Sequence, residues 1–346
     1  IIEGQEFVNE ISLTERPFFF EQKGNYVFVG IRQAGKSYLL YQRIQQLLRE
    51  EHNINEIVYI NFDDERLRQM TADDLDLILQ AYHSLFDLRP LLFFDEIQNI
   101  EGWEHFARRL ANQKYNIYIT GSNAKMLSRE IATTLGGRFW NKDIYPYSFA
   151  EYLNARDIIL SKNWIYGKQA AEVSKAFNDY FLYGGFPELT DVIAKRVWLN
   201  DIYSKIFFSD LIVRNKVRNE EALGLLVRRL AENVKQPVSY TRLANLISSI
   251  GIKISKATVI EFIRYLKESC LIFPIENYAA KFAERNSNMK HYFIDNGLLS
   301  IFLLDGNTSL LENIVAIHLY KRYGAQLYFY NQNIEVDFVI PEAKTA

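Results

Sequence analysis

Cysteine occurs once in the 346 residues, as Cys270, so no disulfide can close within the chain and a disulfide scaffold is excluded. A single thiol fits a reducing compartment, and a cytoplasmic location is expected. No apolar run approaches the ~18 residues that span a bilayer, and no signal-peptide pattern opens the chain, so no membrane partner is expected. Neither sign of charge dominates. With 40 Lys+Arg against 42 Asp+Glu, a formal −2, the chain is not a bulk polyanion binder, although a local basic face stays open. Internal repeats and low-complexity tracts are also missing. What the chain has is core material: 49% hydrophobic and 24% charged residues exclude wholesale disorder. Its length exceeds the ~250–300 residues at which single cores stop growing, so two or three domains are expected. It begins at Ile1 rather than Met and ends at Lys344-Thr345-Ala346, and so reads as part of a longer protein.

The first half alternates apolar runs with helix-period segments, which predicts an α/β domain with a mostly parallel sheet. Tyr26-Val27-Phe28-Val29, Ile57-Val58-Tyr59-Ile60-Asn61-Phe62, Leu91-Leu92-Phe93-Phe94 and Ile117-Tyr118-Ile119-Thr120 read as four strands. A fifth is expected to begin at Asp143-Ile144-Tyr145 and to end at Pro146. Helical periodicity marks residues 36–49, 74–85 and 103–110. Residues 149–234 are helical, broken at Tyr183-Gly184-Gly185-Phe186-Pro187-Glu188. A short helix over 241–249, a turn, a helix over 255–269 and two strands then predict a winged helix. In the second helix Val259, Phe262, Ile263 and Leu266 form one buried face. The expected division is an α/β domain with an N-terminal extension (1–148), a helical segment (149–234), a winged helix (235–300) and a partial α/β domain (301–346).

Gly30-Ile31-Arg32-Gln33-Ala34-Gly35-Lys36-Ser37 matches G-x-x-x-x-G-K-[ST], directly after a strand and opening a helix, as the motif requires. Gly30 and Gly35 are expected at positive φ, turning backbone N–H groups onto phosphate oxygens. The helix N-terminus adds donors and partial positive charge. Lys36 is expected on the β- and γ-phosphates and Ser37 Oγ on Mg²⁺. These eight residues, with Tyr38 after them, make the candidate nucleotide-binding set. Asp95 and Glu96 end a buried strand: the aspartate suits the Mg²⁺ shell, and the glutamate can polarise water for attack on the γ-phosphate. An Asn-Lys-x-Asp run for guanine is absent, which favours ATP. Ser122 and Asn123, after the fourth strand, are candidate γ-phosphate sensors, although Gly-Ser-Asn is also ordinary turn chemistry. Arg138, in Gly136-Gly137-Arg138, is a candidate transition-state cation, with a surface salt bridge as its alternative.

These segments, together with Leu92-Phe93-Phe94-Asp95-Glu96-Ile97-Gln98, Tyr118-Ile119-Thr120-Gly121-Ser122, Gly137-Arg138 and Gly184-Gly185-Phe186-Pro187-Glu188, occur in the same order in a known group. The chain resembles the bacterial and archaeal AAA-superfamily ATPases that carry a C-terminal domain of unknown function. The resemblance implies a sheet order of 5-1-4-3-2, which strengthens Ser122 as the sensor. It also implies an arginine finger just before the fifth strand, at Arg138, often acting on a neighbouring subunit of a homo-oligomer. In the last segment relatives resemble restriction-endonuclease folds, with a helix glutamate (Glu312) and a strand aspartate (Asp337) on a metal. The Glu342-Ala343-Lys344 that follows sits in a connection after Pro341, so a structural remnant is expected rather than a nuclease.

Between residues 235 and 290 there are nine Lys/Arg and four Asp/Glu, a net of +5, leaving 31 against 38 elsewhere. Lys253, Lys256, Arg264 and Lys267 are the candidate DNA contacts of the winged helix. Docking to an unidentified protein partner is the alternative use of such a module. The expected activity is Mg²⁺-dependent ATP hydrolysis that repositions the appended domains. A nucleotide-gated DNA-binding regulator and a protein-interaction or signalling scaffold stay open.

Overall fold

The computed structural model describes residues 1–281, 285 and 288–341; Glu342, Ala343 and Lys344 lie outside the described residues. The chain forms two compact units, Ile1–Ile144 and a second that begins at Tyr145.

In the first unit five strands run parallel: β1 (Asn25–Val29), β2 (Ile57–Asn61), β3 (Leu91–Asp95), β4 (Asn116–Gly121) and β5 (Phe139–Asp143). Their order is β2-β3-β4-β1-β5, the order that the family resemblance implies. Every residue of β3 is buried, as a strand covered on both faces demands. The fifth strand corrects the sequence reading. It starts at Phe139 rather than Asp143 and pairs with β1 from Asn25↔Phe139 to Val29↔Asp143. As an edge strand it leaves Trp140, Asn141, Lys142 and Asp143 exposed, so it lacks the apolar run by which strands are read. Ile144 still donates its N–H to Val29 O at 2.6 Å. Register puts Phe93, Tyr118 and Tyr26 side by side on β3, β4 and β1, and their rings stack at 4.6 and 5.8 Å. Aromatic richness here is cross-strand packing. Helices α1 (Ile2–Glu10), α2 (Lys36–Arg49), α3 (Asp76–Leu85), α4 (Trp103–Asn112) and α5 (Arg129–Leu135) complete the unit. The N-terminal extension is held at β2, where Gln5 Nε2 donates to Ile57 O at 2.8 Å.

The second unit opens with α6 (Phe149–Ala155), α7 (Gln169–Tyr183), α8 (Lys195–Lys205) and α9 (Glu220–Glu232), α8 continuing as a π-helix over Ile206–Val213. Strand β6 (Val238–Ser239), α10 (Tyr240–Ser248) and α11 (Lys256–Glu268) lead into β7 (Ile272–Asn277) and β8 (Asn288–Phe293). Val259, Phe262, Ile263 and Leu266 of α11 are all buried. After α12 (Asn296–Ser300) and α13 (Asn307–Tyr323), β9 (Tyr328–Asn331) and β10 (Glu335–Val339) extend the same sheet, ordered β10-β9-β7-β8-β6. One mixed sheet therefore draws strands from both sides of residue 300.

The glycine breaker after α7 has a specific partner. Asp295, 4% exposed, accepts N–H bonds from Gly185 (2.8 Å), Gly297 (2.8 Å) and Leu298 (3.3 Å). Gly184 sits at φ +79, where a Cβ would collide with Asp295 Oδ1. Burial pushes the Asp295 carboxyl up to about 6, against those N–H donors and Lys321. The folded state thus holds this proton more tightly than the unfolded chain, so its contribution to stability is full below pH ~4 and lost as pH rises through about 6. Wild type should lose about 1 kcal/mol relative to Asp295→Asn between pH 5 and pH 7, read from paired urea denaturations. A difference that stays flat over that window would refute the assignment.

Candidate active site

Strand β1 ends at Val29 and α2 begins at Lys36, with the Gly-rich loop between them. Gly35 precedes the helix at φ 89, ψ 24, a left-handed conformation that favours glycine. Gly30 departs from the expectation of positive φ. It is required by contact, because a Cβ there would collide with the Ile144 carbonyl oxygen, and Gln33 takes the second left-handed position at φ 60. Ala34 N donates to Ile31 O at 3.2 Å, and Gly30 N to Gly121 O of β4 at 3.3 Å. Lys36, 3% exposed, directs its ammonium to Ile31 O (3.1 Å) and Glu96 Oε1 (3.5 Å). Tyr38 stands away from this cluster, half exposed and edge-on to Tyr41. Arg16, which the sequence reading passed over, donates from Nη1 to Ala34 O at 3.1 Å. It also exchanges two backbone–amide bonds with Gln42 of α2.

Asp95 is the last residue of β3 and 1% exposed. Its carboxylate accepts from Tyr59 OH at 2.9 Å, from Thr120 Oγ1 and from the Ser37 hydroxyl. Burial, then the charge of Glu96, raise its proton affinity against those hydroxyls. Glu96 turns left-handed at φ 53, and its N–H donates to Thr120 Oγ1 at 3.0 Å. One hydroxyl therefore bridges the two acidic residues. Glu96 Oε2 accepts from Gln98 Nε2 at 2.5 Å. Burial works against its ionisation, but Lys36, Gln98, Ser122 and Arg32 outweigh it and hold Glu96 below the usual carboxylate range. Ser122, 1% exposed, meets Gln98 Nε2 at 3.3 Å and so lies within the cluster. Asn123 does not: its side chain accepts from Lys125 N at 2.8 Å and caps a short 3-10 turn. Tyr59 carries no motif, and Thr120 and Gln98 stand in the resemblance segments with no role assigned to them; the strand order reveals what all three touch.

Arg138 is not brought to this site within the chain. It is exposed at the start of β5, its Nη1 bonded to Gly136 O at 3.1 Å. Its carbonyl accepts from Asn25 Nδ2, at the end of β1 opposite the loop. The five residues of β1 set a separation of about 16 Å. For Mg²⁺ the donors fit: Ser37 hydroxyl and Asp95 carboxylate are hard oxygens already within hydrogen-bond reach of each other.

An AAA-domain family model matches residues 22–153, and a model of a domain of unknown function matches residues 174–309. An uncharacterized protein of Methanocaldococcus jannaschii is 34% identical over 322 residues, 91% of this chain and 71% of that protein. A second, of Haemophilus influenzae, is 31% identical over 326 residues, 92% of this chain and 79% of that protein. The chain belongs to this family of AAA-domain proteins with a C-terminal domain of unknown function. Its N-terminal unit is thus of a nucleotide-binding, ATPase type. Among solved structures, a Walker-type ATPase of Pyrococcus abyssi aligns over 80% of this chain and 90% of that chain, at 13% identity and a TM-score of 0.49.

In the second unit Lys253, Lys256, Arg264 and Lys267 are exposed, as expected, but Arg264 is flanked by Glu261 (3.7 Å) and Glu268 (3.9 Å). No helix among the described residues is long and apolar enough to cross a membrane. Glu312 and Asp337 do come together, around a lysine. Lys290 of β8 is fully buried, its Nζ 2.7 Å from Asp337, 3.3 Å from Glu312 and 3.4 Å from Glu335. Tyr292 OH donates to Glu312 at 2.7 Å. Burial disfavours the Lys290 charge, yet Asp337 and Glu312 raise its proton affinity above the usual lysine range. An ammonium among the carboxylates leaves no place for a divalent cation, so these residues do not fit a metal. Lys290→Ala should cost about 1–3 kcal/mol in urea unfolding, less than a fully buried pair because Asp337 and Glu335 are half exposed. Millimolar Mn²⁺ should leave the nucleotide-free wild-type midpoint unmoved; a rise that Asp337→Asn abolishes would reverse this assignment.

Proposed function

We propose that the chain is a Mg²⁺-dependent ATPase. The observation that carries the reading is the ion pair between Lys36 of the phosphate loop and Glu96 beside Asp95, on loops that leave the same end of the sheet from β1 and β3, either side of β4. In this reading the loop N–H groups, the α2 N-terminus and Lys36 bind the β- and γ-phosphates. Ser37 and Asp95 hold Mg²⁺, which neutralises charge on the phosphate oxygens when bound. Glu96 accepts a proton from a water whose oxygen forms the new bond to the γ-phosphorus as the bond to the β–γ bridging oxygen breaks. Ser122 supplies a hydroxyl to the γ-phosphate, while the turn cap on Asn123 argues against that residue in the same role. Loss of the γ-phosphate contacts would then reposition the C-terminal unit, whose α9–α11 and β6–β8 we read as a winged helix.

Lys36→Ala should lose nucleotide binding in equilibrium titration, and unchanged ATP affinity would sink the phosphate-site reading. Glu96→Gln should bind ATP normally and lose turnover by at least about 10²-fold; a fully active variant would remove Glu96 as the base.

Arg138 can serve only a second copy of the chain, given its place at the far end of β1. Arg138→Ala and Lys36→Ala proteins, each inactive alone, should regain turnover when mixed. No recovery over a range of mixing ratios would exclude a finger acting between subunits.

A further inference from the structure

Gln98 is assigned to nothing by the loop, the acidic pair or the sensor, yet it makes the shortest contact to the proposed base. Glu96 enters a 3-10 turn, Ile97–Asn99, from a left-handed conformation, and that turn folds the Gln98 side chain back over Glu96. A primary amide nitrogen carries two hydrogens, and both are used: one toward Glu96 Oε2 at 2.5 Å, the other toward Ser122 Oγ at 3.3 Å. The cost falls on the other end of the amide. Gln98 Oε1 is buried and has no hydrogen-bond partner among the described residues, and it lies against Gly121, where a Cβ would collide with it. Rotating the amide by a half turn would set Oε1 against the Glu96 carboxylate, so the carboxylate fixes this orientation. A side chain selected for packing alone would not strand a buried carbonyl, since such groups are ordinarily paired.

We infer that Gln98 is a positioning residue for hydrolysis, holding the Glu96 carboxylate in aim and tying it to Ser122. With Lys36 on Oε1, Gln98 on Oε2 and the Ser122 hydroxyl also bonded to the carboxylate, the carboxylate plane cannot rotate without losing a partner. Ser122 meets Glu96 directly and also shares the Gln98 amide nitrogen, so a contact made by the sensor hydroxyl is felt at Glu96 by both routes.

The inference rests on Glu96 as the base, and its test is separable from that reading. Gln98→Met keeps the length and removes the donor; Gln98→Glu keeps the shape and sets an acceptor against Glu96. Both should bind ATP within ~2-fold of wild type, because neither touches the loop, and kcat should fall ~10-fold or more. The loss should appear in kcat with KM unchanged, and it should be larger in Gln98→Glu, which sets an acceptor against Glu96, than in Gln98→Met. An unchanged kcat, a KM that rises with the loss, or a loss matched by weaker folding would reduce Gln98 to a structural residue and overturn the inference. Glu96→Gln separates the two failures: if it abolishes turnover while the Gln98 variants behave as wild type, only the positioning role falls.

Discussion

Two carboxylates in consecutive positions at the end of one buried strand repel each other and have both lost water, and the N-terminal unit is arranged around that difficulty. Asp95 and Glu96 receive different solutions. Asp95 stays in the strand, almost wholly buried, and is surrounded by the hydroxyls of Tyr59, Thr120 and Ser37. Glu96 turns left-handed, carries its carboxylate away from Asp95, and meets the ammonium of Lys36 and the amide of Gln98. Hydroxyl donors tolerate either protonation state of Asp95, whereas a cation demands that Glu96 be ionised. The pair is thus split into a hydroxyl-bonded group and an ion-paired one, a division that suits the metal-holding and proton-accepting roles proposed for them.

That split depends on strand order. Thr120 bridges the two acids only because β4 lies between β1 and β3, and Gly30 can hydrogen-bond Gly121 for the same reason. Local pattern made four strands, the loop and the acidic pair readable, since apolar runs and a glycine-lysine motif are short-range signals. The order of the strands came from family resemblance, because no local pattern encodes which strands neighbour each other. Tyr59, Thr120 and Gln98 were missed for that reason: a hydroxyl or an amide is ordinary until a strand 24 to 36 residues away is set beside it. The edge strand β5 was misplaced by the opposite cause. Its exposed Trp140 and Lys142 carry no periodicity, and the apolar Ile144 just past it drew the prediction four residues too far.

The C-terminal unit shows how two motifs can be halves of one contact. Gly184-Gly185 looked like a helix breaker and nothing more, and Asp295 drew no notice. Together they form a carboxylate nest closed across 110 residues, with glycine required at 184 by both dihedral angle and space. Lys290 makes the same point about charge. Glu312 and Asp337 stand where the family resemblance implies metal ligands, and only the strand pairing of β7 with β8 and β9 brings a third partner of opposite sign between them. An acidic pair read from sequence is therefore a statement about carboxylates and leaves the cation undetermined.

On the proposed role of Arg138 as a finger for a second copy, its geometry limits what an assembly of this chain can look like. Loop and arginine lie at opposite ends of β1, so a copy that receives an arginine at its loop presents its own at the far edge of the sheet. Two symmetric solutions satisfy this. Side-by-side antiparallel packing gives a closed pair in which each loop is served by its partner's arginine. Head-to-tail packing gives a ring, or an open series in which the terminal loop goes unserved. The two differ in a countable way, since the pair and the ring have one complete site per chain at any size, while an open series approaches that ratio only as it lengthens. Specific activity that climbs with protein concentration beyond the dimer therefore belongs to head-to-tail growth alone.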